Sequence, residues 1–211
     1  EKLTIGPVRA VHAGDAAGVA AALDRAEIAA TAVGARALPK VAEVLARGIV
    51  GRIEGKRPPL NLILCVNLKN AASLMRNMVA EHLPAHARPG LEDALGFVDT
   101  VIGRMVPLQT EEQRQADPTL VKVEPYKELP VDKAAFKGDI PEVASMMPVD
   151  NFPVYTARKL YIHNCGHALF AYKGYLAGHE YGWQALADPA VRDFLFAGWE
   201  ESLAGIVHRY D

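Results

Sequence analysis

The densest group of side chains able to do chemistry is the run KLYIHNCGH, from Lys159 to His167. At about 100° per residue in an α-helix, Lys159, His163 and His167 fall at about 0°, 40° and 80° around the axis. Asn164 falls at about 140° on the same scale. The run contains no acidic residue, so a cation, two imidazoles and a carboxamide share one side of the predicted helix.

Two interpretations of this helix face are open. In the first, it is a partly exposed surface with a hydrogen-bonded histidine and an asparagine of the capping type. In the second, it is a catalytic site. A lysine held against an apolar wall has a lowered pKa and can act as a general base. The amide of Asn164 can donate to an oxygen that gains negative charge, and a histidine can orient a hydroxyl. Such a set suits removal of a proton from an alcohol while a hydride leaves its carbon.

A metal ion is a rival use of the same histidines. His163 and His167 are four residues apart, which is the spacing of two zinc ligands on one helix turn. The run HNCGH lacks the glutamate of an HExxH motif. Cys165 points about 160° away from His163 on a helical wheel, and His179 would have to act as a remote ligand. The residues therefore favour a site without metal.

A second set of polar residues follows two predicted buried strands. Asn67 comes just after the apolar run LNLIL, and Thr31, Ala32, Val33 and Gly34 end the preceding strand. Ligands bind at the carboxyl ends of parallel strands, so both segments are candidate binding elements. A turn or helix-capping role for Asn67 and a simple tight turn at Gly34 are the alternatives. The sequence has neither a GxGxxG nor a Walker motif, so the residues alone do not establish a nucleotide site.

The elements that would position these residues alternate along the first half of the chain. Strands are predicted at residues 7–12, 27–33 and 60–66, and helices follow them after the N-cap Asp15, over 38–50 and over 71–82. Residues 51–59 are predicted as a loop. This alternation indicates βαβ units and a mostly parallel sheet. Further strands are predicted at 96–106 and, in a proline-rich connecting region, at 120–126.

The last third of the chain is predicted to be helical. Asn151 is a candidate N-cap for a helix that runs through Tyr155 to about Leu176. Asp188 and Pro189 start another helix, with proline in its first turn. One broad apolar face is predicted on that helix, formed by Val191, Phe194, Leu195, Trp199, Leu203, Ile206, Val207 and Tyr210.

The composition excludes several classes of function. Half of the residues are hydrophobic and 23% are charged, with a formal net charge of −2, which is typical of a folded globular protein. Without a basic excess we expect neither nucleic-acid nor membrane binding, and no apolar run is long enough to span a bilayer. The widely separated Cys65 and Cys165, and the lack of a signal segment, favour a reducing, cytoplasmic compartment. Monomer and dimer are both compatible with the sequence.

Five segments, in order along the chain, resemble the polyol-specific long-chain dehydrogenases, and most closely their mannitol-1-phosphate 5-dehydrogenase branch. They are TAVG at 31–34, NLILCVN at 61–67, GFVDTVIGRMVP at 96–107, LPVDKAAFKG at 129–138 and RKLYIHNCGHALFAYKGYLAGH at 158–179. The last is the most specific, because a lysine, an asparagine five residues later and a histidine eight residues later form the catalytic signature of this family.

The resemblance implies metal-independent, NAD-linked interconversion of a sugar ketone and its alcohol, with fructose 6-phosphate and mannitol 1-phosphate as the expected pair. It makes Lys159 the general acid/base. It assigns to Asn164, together with Asn67, the binding of the oxygen that gains negative charge. His167 would help to position the reacting oxygen. The residues Thr31, Ala32, Val33 and Gly34 would lie along the dinucleotide. A free polyol, a hexuronate, or a degenerate relative that only binds nucleotide are the alternatives.

The implied fold class is α/β: an incomplete Rossmann-like parallel-sheet domain over residues 1–110, followed by a mainly α-helical substrate domain over 111–211. Two departures from the family pattern accompany it. Gly103 stands where the family usually has an aspartate. The chain starts at Glu1, after the glycine-rich turn with which the family opens, and ends within its substrate domain, so we expect a piece trimmed from a longer protein.

Overall fold

The chain divides into two units in the computed structural model, which describes residues 2–210. The first unit extends to Pro148 and the second begins at Val149. The sequence places the boundary after residue 110 instead. The difference arises because the segment that follows residue 110 returns to the sheet, where Val131 pairs with Thr100 in an isolated antiparallel bridge.

The first unit contains five strands, five α-helices and three short 3-10 helices among its described residues. The strands are β1 (Ile28–Thr31), β2 (Leu60–Leu64), β3 (Leu95–Asp99), β4 (Leu129–Asp132) and β5 (Met146–Val149), the last of which ends at the division between the units. The helices are α1 (Ala16–Arg25), α2 (Leu38–Glu54), α3 (Ala71–His82), α4 (Leu91–Ala94) and α5 (Glu111–Ala116).

A parallel sheet forms the centre of this unit, as the alternation of strands and helices predicts. Its order is β1-β2-β3, and β4 and β5 form a separate two-stranded sheet. Thr31 pairs with Leu64, and Leu64 pairs with Asp99. The carboxyl ends of all three strands therefore lie at one edge, the edge at which parallel sheets bind ligands.

Burial of apolar faces explains why these segments adopt these structures. Every residue of β2 is buried, as expected for the middle strand of a sheet covered on both faces. On α2, the fully buried Leu38, Ala42 and Ile49 recur at helical spacing. Arg52 on the same helix is also buried, and its guanidinium donates to the carbonyls of Leu23, Asp24 and Pro58. These bonds join the end of α1 to the end of α2.

The return of the chain to the sheet depends on a buried asparagine. Asn61 is 2% exposed, accepts from the backbone N–H of Lys137 at 2.9 Å and donates to its carbonyl at 3.1 Å. A Cβ at Gly96 would collide with the Asn61 side chain and with the Ala135 carbonyl. The absence of a side chain at this position of β3 therefore lets residues 133–137 lie close to the sheet.

Several predicted boundaries in this unit are wrong. Residues 7–12 and 120–126 form no strand, because neither segment lies beside another strand that could complete a hydrogen-bonded ladder. The helix predicted to end at Val50 continues to Glu54, and the strand predicted to reach Val106 ends at Asp99. The predicted cap is confirmed, since the Asp15 side chain accepts from the backbone N–H of Gly18 at 2.9 Å.

The second unit consists of helices. They are α6 (Phe152–Arg158), a π-helix (Lys159–Asn164), α7 (Cys165–Leu176), α8 (Gly182–Ala187) and α9 (Pro189–Tyr210). The predicted start of α9 is confirmed, because Asp188 accepts from the backbone N–H of Ala190 at 2.8 Å. Its predicted apolar face is only partly buried: Val191 and Leu195 are inside, whereas Leu203 is 54% exposed. None of the helices in the described chain has the length and apolar character of a membrane span.

Candidate active site

The run that carries the candidate catalytic residues is a π-helix rather than the α-helix predicted from the sequence. Lys159 to Asn164 adopt this form between α6 and α7. The backbone N–H of Cys165 donates to the carbonyl of Leu160, five residues earlier. In a helix bonded between residues five apart, such residues come closer to lying above one another than in an α-helix. The angle between Lys159 and Asn164 is therefore smaller than the predicted value of about 140°.

Lys159 is partly buried, and this burial lowers the pKa of its ammonium group. Removing a charged amine from water disfavours its protonated form. The surrounding sequence adds no compensating acid, since no Asp or Glu occurs between Asp150 and Glu180. The environment of Lys159 thus favours a neutral amine more than free solution does, which is the requirement for a lysine that accepts a proton.

The ring of His167 has a defined orientation and tautomer. Its Nδ1 lies 2.9 Å from the carbonyl oxygen of His163. A carbonyl only accepts, so Nδ1 carries the proton, and in the neutral ring Nε2 is left as an acceptor. The ring also contacts those of His163 and Phe170, with centroids 4.8 and 5.4 Å away. His167 is exposed, so Nε2 can accept a hydrogen bond from a hydroxyl of a bound molecule.

His163 contacts His167 in two ways: its backbone carbonyl accepts the hydrogen bond from Nδ1, and its ring packs against the His167 ring. Within residues 2–210, no three side chains of the His, Cys, Asp or Glu type are grouped so that they could hold a metal ion. The two cysteines are free thiols. Burial raises the pKa of Cys65, which makes it a weaker nucleophile than an exposed thiol at neutral pH.

The second group of predicted residues lies at the carboxyl edge of the sheet. Thr31 ends β1, and the backbone N–H of Cys65, just after β2, donates to the Thr31 carbonyl at 3.1 Å. Asn67 follows two residues later and is exposed. The structure therefore places Asn67 and the turn formed by Thr31, Ala32, Val33 and Gly34 at neighbouring strand ends, as the sequence predicts.

Two features of this edge fit a dinucleotide. The Thr31 hydroxyl is buried and has no hydrogen-bond partner among the described residues, an arrangement that a polar ligand group would relieve. Gly34 faces open space, with nothing within 4 Å of the position that a Cβ would take. The turn can thus be approached closely along its backbone.

Asp99, the last residue of β3, is not among the site residues predicted from the sequence. Its carboxylate accepts from the backbone N–H of Ala72 at 2.9 Å, at the N-terminus of α3, where a negative charge is favourable. Burial raises the pKa of Asp99, and the neighbouring Asp132 acts in the same direction. Asp99 holds the start of the helix that follows the Asn67 loop. Its place at a strand end was the only signal in the sequence.

Two family models match this chain. The model described as the mannitol dehydrogenase Rossmann domain matches residues 1–145, and the model described as the mannitol dehydrogenase C-terminal domain matches residues 151–211. Together they cover almost the whole chain. The strand order β1-β2-β3 is that of one mononucleotide-binding half of a Rossmann sheet.

Solved structures with the same fold include two polyol dehydrogenases. Pseudomonas fluorescens mannitol 2-dehydrogenase, in a ternary complex with NAD and D-mannitol, is 15% identical with a TM-score of 0.67, over 88% of this chain and 46% of that one. A D-sorbitol dehydrogenase in substrate-free form is 15% identical with a TM-score of 0.73, over 86% of this chain and 46% of that one. The chain spans about half the length of these neighbours.

Proposed function

The chain belongs to the mannitol dehydrogenase family, and on that premise we propose that it interconverts mannitol 1-phosphate and fructose 6-phosphate with NAD as cofactor. The proposal places it in an oxidoreductase that acts on a secondary alcohol without a metal ion. One observation carries it: the π-helix and the turn that follows it bear Lys159, Asn164 and His167, with the pKa of the lysine lowered by burial.

In the oxidation direction, the neutral amine of Lys159 takes the proton from the alcohol. The amide of Asn164 donates to the oxygen while it carries negative charge, and we assign Asn67 of the sheet unit the same task. Nε2 of His167 accepts from a hydroxyl of the substrate and so orients it, because Nδ1 is occupied by the His163 carbonyl. In the reduction direction, the ammonium of Lys159 returns the proton.

Thr31, Ala32, Val33 and Gly34 are the residues that would hold the dinucleotide. The unpartnered hydroxyl of Thr31 and the open space at Gly34 support this assignment. When bound, NAD supplies the acceptor for the hydride of the alcohol carbon. The residues of this chain position the alcohol, stabilise its oxygen and move its proton.

The preference for a phosphorylated substrate rests on charge. Between Asp150 and Glu180 the chain carries Arg158, Lys159 and Lys173 but no acid. Even with Lys159 neutral, Arg158 and Lys173 leave this segment with a net positive charge, which supports a substrate with a phosphate group. A free polyol is the second candidate, because both structural neighbours are named for free polyols.

Two further alternatives are a hexuronate substrate and a non-catalytic role. Gly103, in place of the family's usual aspartate, is the feature that favours a degenerate relative that binds nucleotide without turning over. We place the protein in a reducing compartment such as the cytoplasm, in line with its free thiols. We propose a small sugar phosphate as its binding partner, rather than a nucleic acid or a membrane.

The test follows NADH absorbance in the purified protein with fructose 6-phosphate, fructose and fructuronate as parallel substrates. We expect fructose 6-phosphate to give the highest kcat/KM, and a strong chelator to leave the rate unchanged. Faster turnover of fructose or fructuronate would transfer the assignment to the corresponding branch. The absence of turnover with every substrate, alongside measurable NADH binding, would establish the non-catalytic alternative.

A further inference from the structure

The π-helix is held from outside by a tryptophan of α9. Nε1 of Trp199 donates to the carbonyl oxygen of Ile162 at 2.8 Å. Ile162 lies inside the π-helix, between Lys159 and Asn164. The indole is partly buried, and an indole N–H in such a place usually has an acceptor. Here that acceptor is a backbone carbonyl of the segment that carries the candidate catalytic residues.

The same indole packs against a glycine on the other side of Asn164. A Cβ added to Gly166 would lie 2.7 Å from Nε1 of Trp199 and 2.9 Å from its Cζ2, which is closer than real Cβ contacts allow. Gly166 is buried. Trp199 therefore touches the helix at the residue two before Asn164 and at the residue two after it, and its contacts bracket this side chain.

A π-helix is rare and is found mostly as a single turn inside an α-helix, frequently at a functional site. Contacts from outside the helix can help to hold such a turn. The indole gives one carbonyl of this turn a partner from a separate helix. The ring is itself fixed by an edge-on contact with Phe196, with centroids 5.6 Å apart. The π-helix is thus anchored to α9 at Ile162, and the start of α7 is packed against the same indole at Gly166.

We propose that Trp199 is a positioning residue that keeps residues 159–164 in the π form and so presents Lys159 and Asn164 on one face. The role rests on the function proposed above. Without the indole contact the segment relaxes toward an ordinary α-helix, and Asn164 rotates away from Lys159. Trp199 itself does not touch the substrate.

The test compares Trp199→Phe with the matched control Trp183→Phe in the full chain. Trp183 lies on α8 in the same unit and is 71% exposed. Trp199→Phe keeps an aromatic ring but removes the N–H donor. We expect its kcat to fall about 10- to 100-fold with KM within about threefold, since a small misplacement of a catalytic group costs up to about 10²-fold in rate. The control keeps both parameters.

Hydrogen exchange measured by mass spectrometry provides a readout that does not depend on turnover. We expect faster exchange in Trp199→Phe for peptides that cover residues 159–166, with the sheet unit unchanged. If exchange is unchanged, Trp199 does not hold the turn, and the proposal is wrong. If exchange rises while kcat stays at the wild-type value, Trp199 is only structural, and the positioning role is equally overturned.

Gly166→Ala disturbs the same indole through the glycine that it packs against. This variant tests the positioning role of Trp199 if Trp199→Phe fails to fold. It keeps the indole but pushes it away, so we expect the same loss of kcat and the same local rise in exchange. The double variant should lose less than the product of the two single losses, because both remove one contact. A wild-type protein without any turnover would contradict the proposed function alone, and the exchange data would still judge Trp199.

Discussion

The two units hold their candidate residues by different means. In the sheet unit, Asn67 comes shortly after β2 and Thr31 ends the neighbouring β1, and β2 contributes Leu60, Leu62 and Leu64 to a large apolar core. This core includes Leu38, Ala42, Leu45, Ile49, Leu60, Leu62, Leu64, Met75, Val79, Leu95 and Phe97. Strand ends anchored in this way occupy positions that depend on the whole core rather than on any one contact.

The helical unit relies on close contacts at glycines. Gly166 lies against Trp199, Gly174 against Ala185 and Gly198 against Leu169, each at a distance at which an added Cβ would force its neighbour to shift. Few of its large apolar side chains are buried, apart from Phe152, Val191 and Leu195. The helix that carries the candidate catalytic residues is therefore positioned by a small number of specific contacts.

Under the proposed function, catalysis and stability are divided between the units. Proton transfer is assigned to a segment with few supporting contacts, where one substitution can change geometry. Most apolar burial lies in the sheet unit, where a loss of packing changes stability. Substitutions in the two units should therefore differ in the kind of effect as well as in its size.

The largest effect is expected for Lys159→Ala. General acid–base catalysis contributes about 10²- to 10⁴-fold to a rate, so kcat should fall by that factor while the unfolding transition stays unchanged. Steady-state NADH kinetics with fructose 6-phosphate measure the loss. Lys122→Ala is the control, because this exposed lysine lies in the segment between α5 and β4 and has no part in the proposed site. A loss of tenfold or less at Lys159 would make it a structural residue.

The next largest effect concerns stability and compares one apolar residue from each unit. Ile49 on α2 is fully buried, whereas Leu203 on α9 is 54% exposed. Ile49→Ala should lower the free energy of unfolding by about 2–5 kcal/mol, since it leaves a cavity in a packed core. Leu203→Ala should cost within about 0.5 kcal/mol. Urea titration followed by circular dichroism measures both, and equal costs would refute the contrast drawn between the units.

The same contrast explains what the sequence could predict. Helix α3, the middle strand β2 and the parallel order follow from apolar runs and helical spacing, because each of these segments is buried against the sheet. The face predicted on α9 follows the same pattern, yet Phe194 and Leu203 are largely exposed. Spacing predicts which residues share a face, but it does not predict what covers that face.

The candidate site, too, could be predicted from the sequence only in part. Residue types and spacing placed Lys159, Asn164 and His167 on one helix face, and the resemblance to the family assigned their roles and that of the turn at Thr31. The π-helix was not predicted, because the hydrogen bond from Cys165 to Leu160 has no signature in the sequence. Asp99 and Trp199 were missed as well, since their partners, Ala72 and Ile162, are backbone groups distant in the chain.

A smaller effect is expected at Asp99, where burial raises the pKa of the carboxyl. The folded state then binds the proton more tightly than the unfolded chain does, so stability rises as the pH falls through the folded-state pKa. Asp99→Asn keeps an oxygen for the Ala72 amide and removes the charge. At pH 7 the free energy of unfolding of the variant should equal or exceed that of wild type. Between pH 7 and about pH 3, the variant should gain less stability than wild type does.

Urea titrations at the two pH values measure this difference. Asp93→Asn, at an exposed position of α4, reports the effect of the amide substitution by itself. A clear loss of stability at pH 7 in Asp99→Asn would mean that the charge on the helix N-terminus outweighs its burial.

The smallest effect, and one of opposite sign, is expected at Asp188 in the helical unit. The hydrogen bond from Nε2 of His179 lowers the pKa of this carboxyl, and the backbone N–H of Ala190 adds to the shift. The unfolded chain binds the proton more tightly here, so the stability from these bonds is present above the unfolded-state pKa and is lost as the pH falls through the folded-state value.

Asp188→Asn keeps the helix cap, since asparagine caps as well as aspartate does, and removes only the charge. Stability at pH 7 should therefore fall slightly, and the difference from wild type should vanish at about pH 3. Trp183 and Trp199, the two tryptophans of the chain, both lie in this unit, so their fluorescence follows its unfolding directly. If the Asp188 and Asp99 variants changed with pH in the same direction, the two carboxylates would be in similar environments. The contrast between a carboxyl whose pKa is raised by burial and one whose pKa is lowered by hydrogen bonds would then not hold.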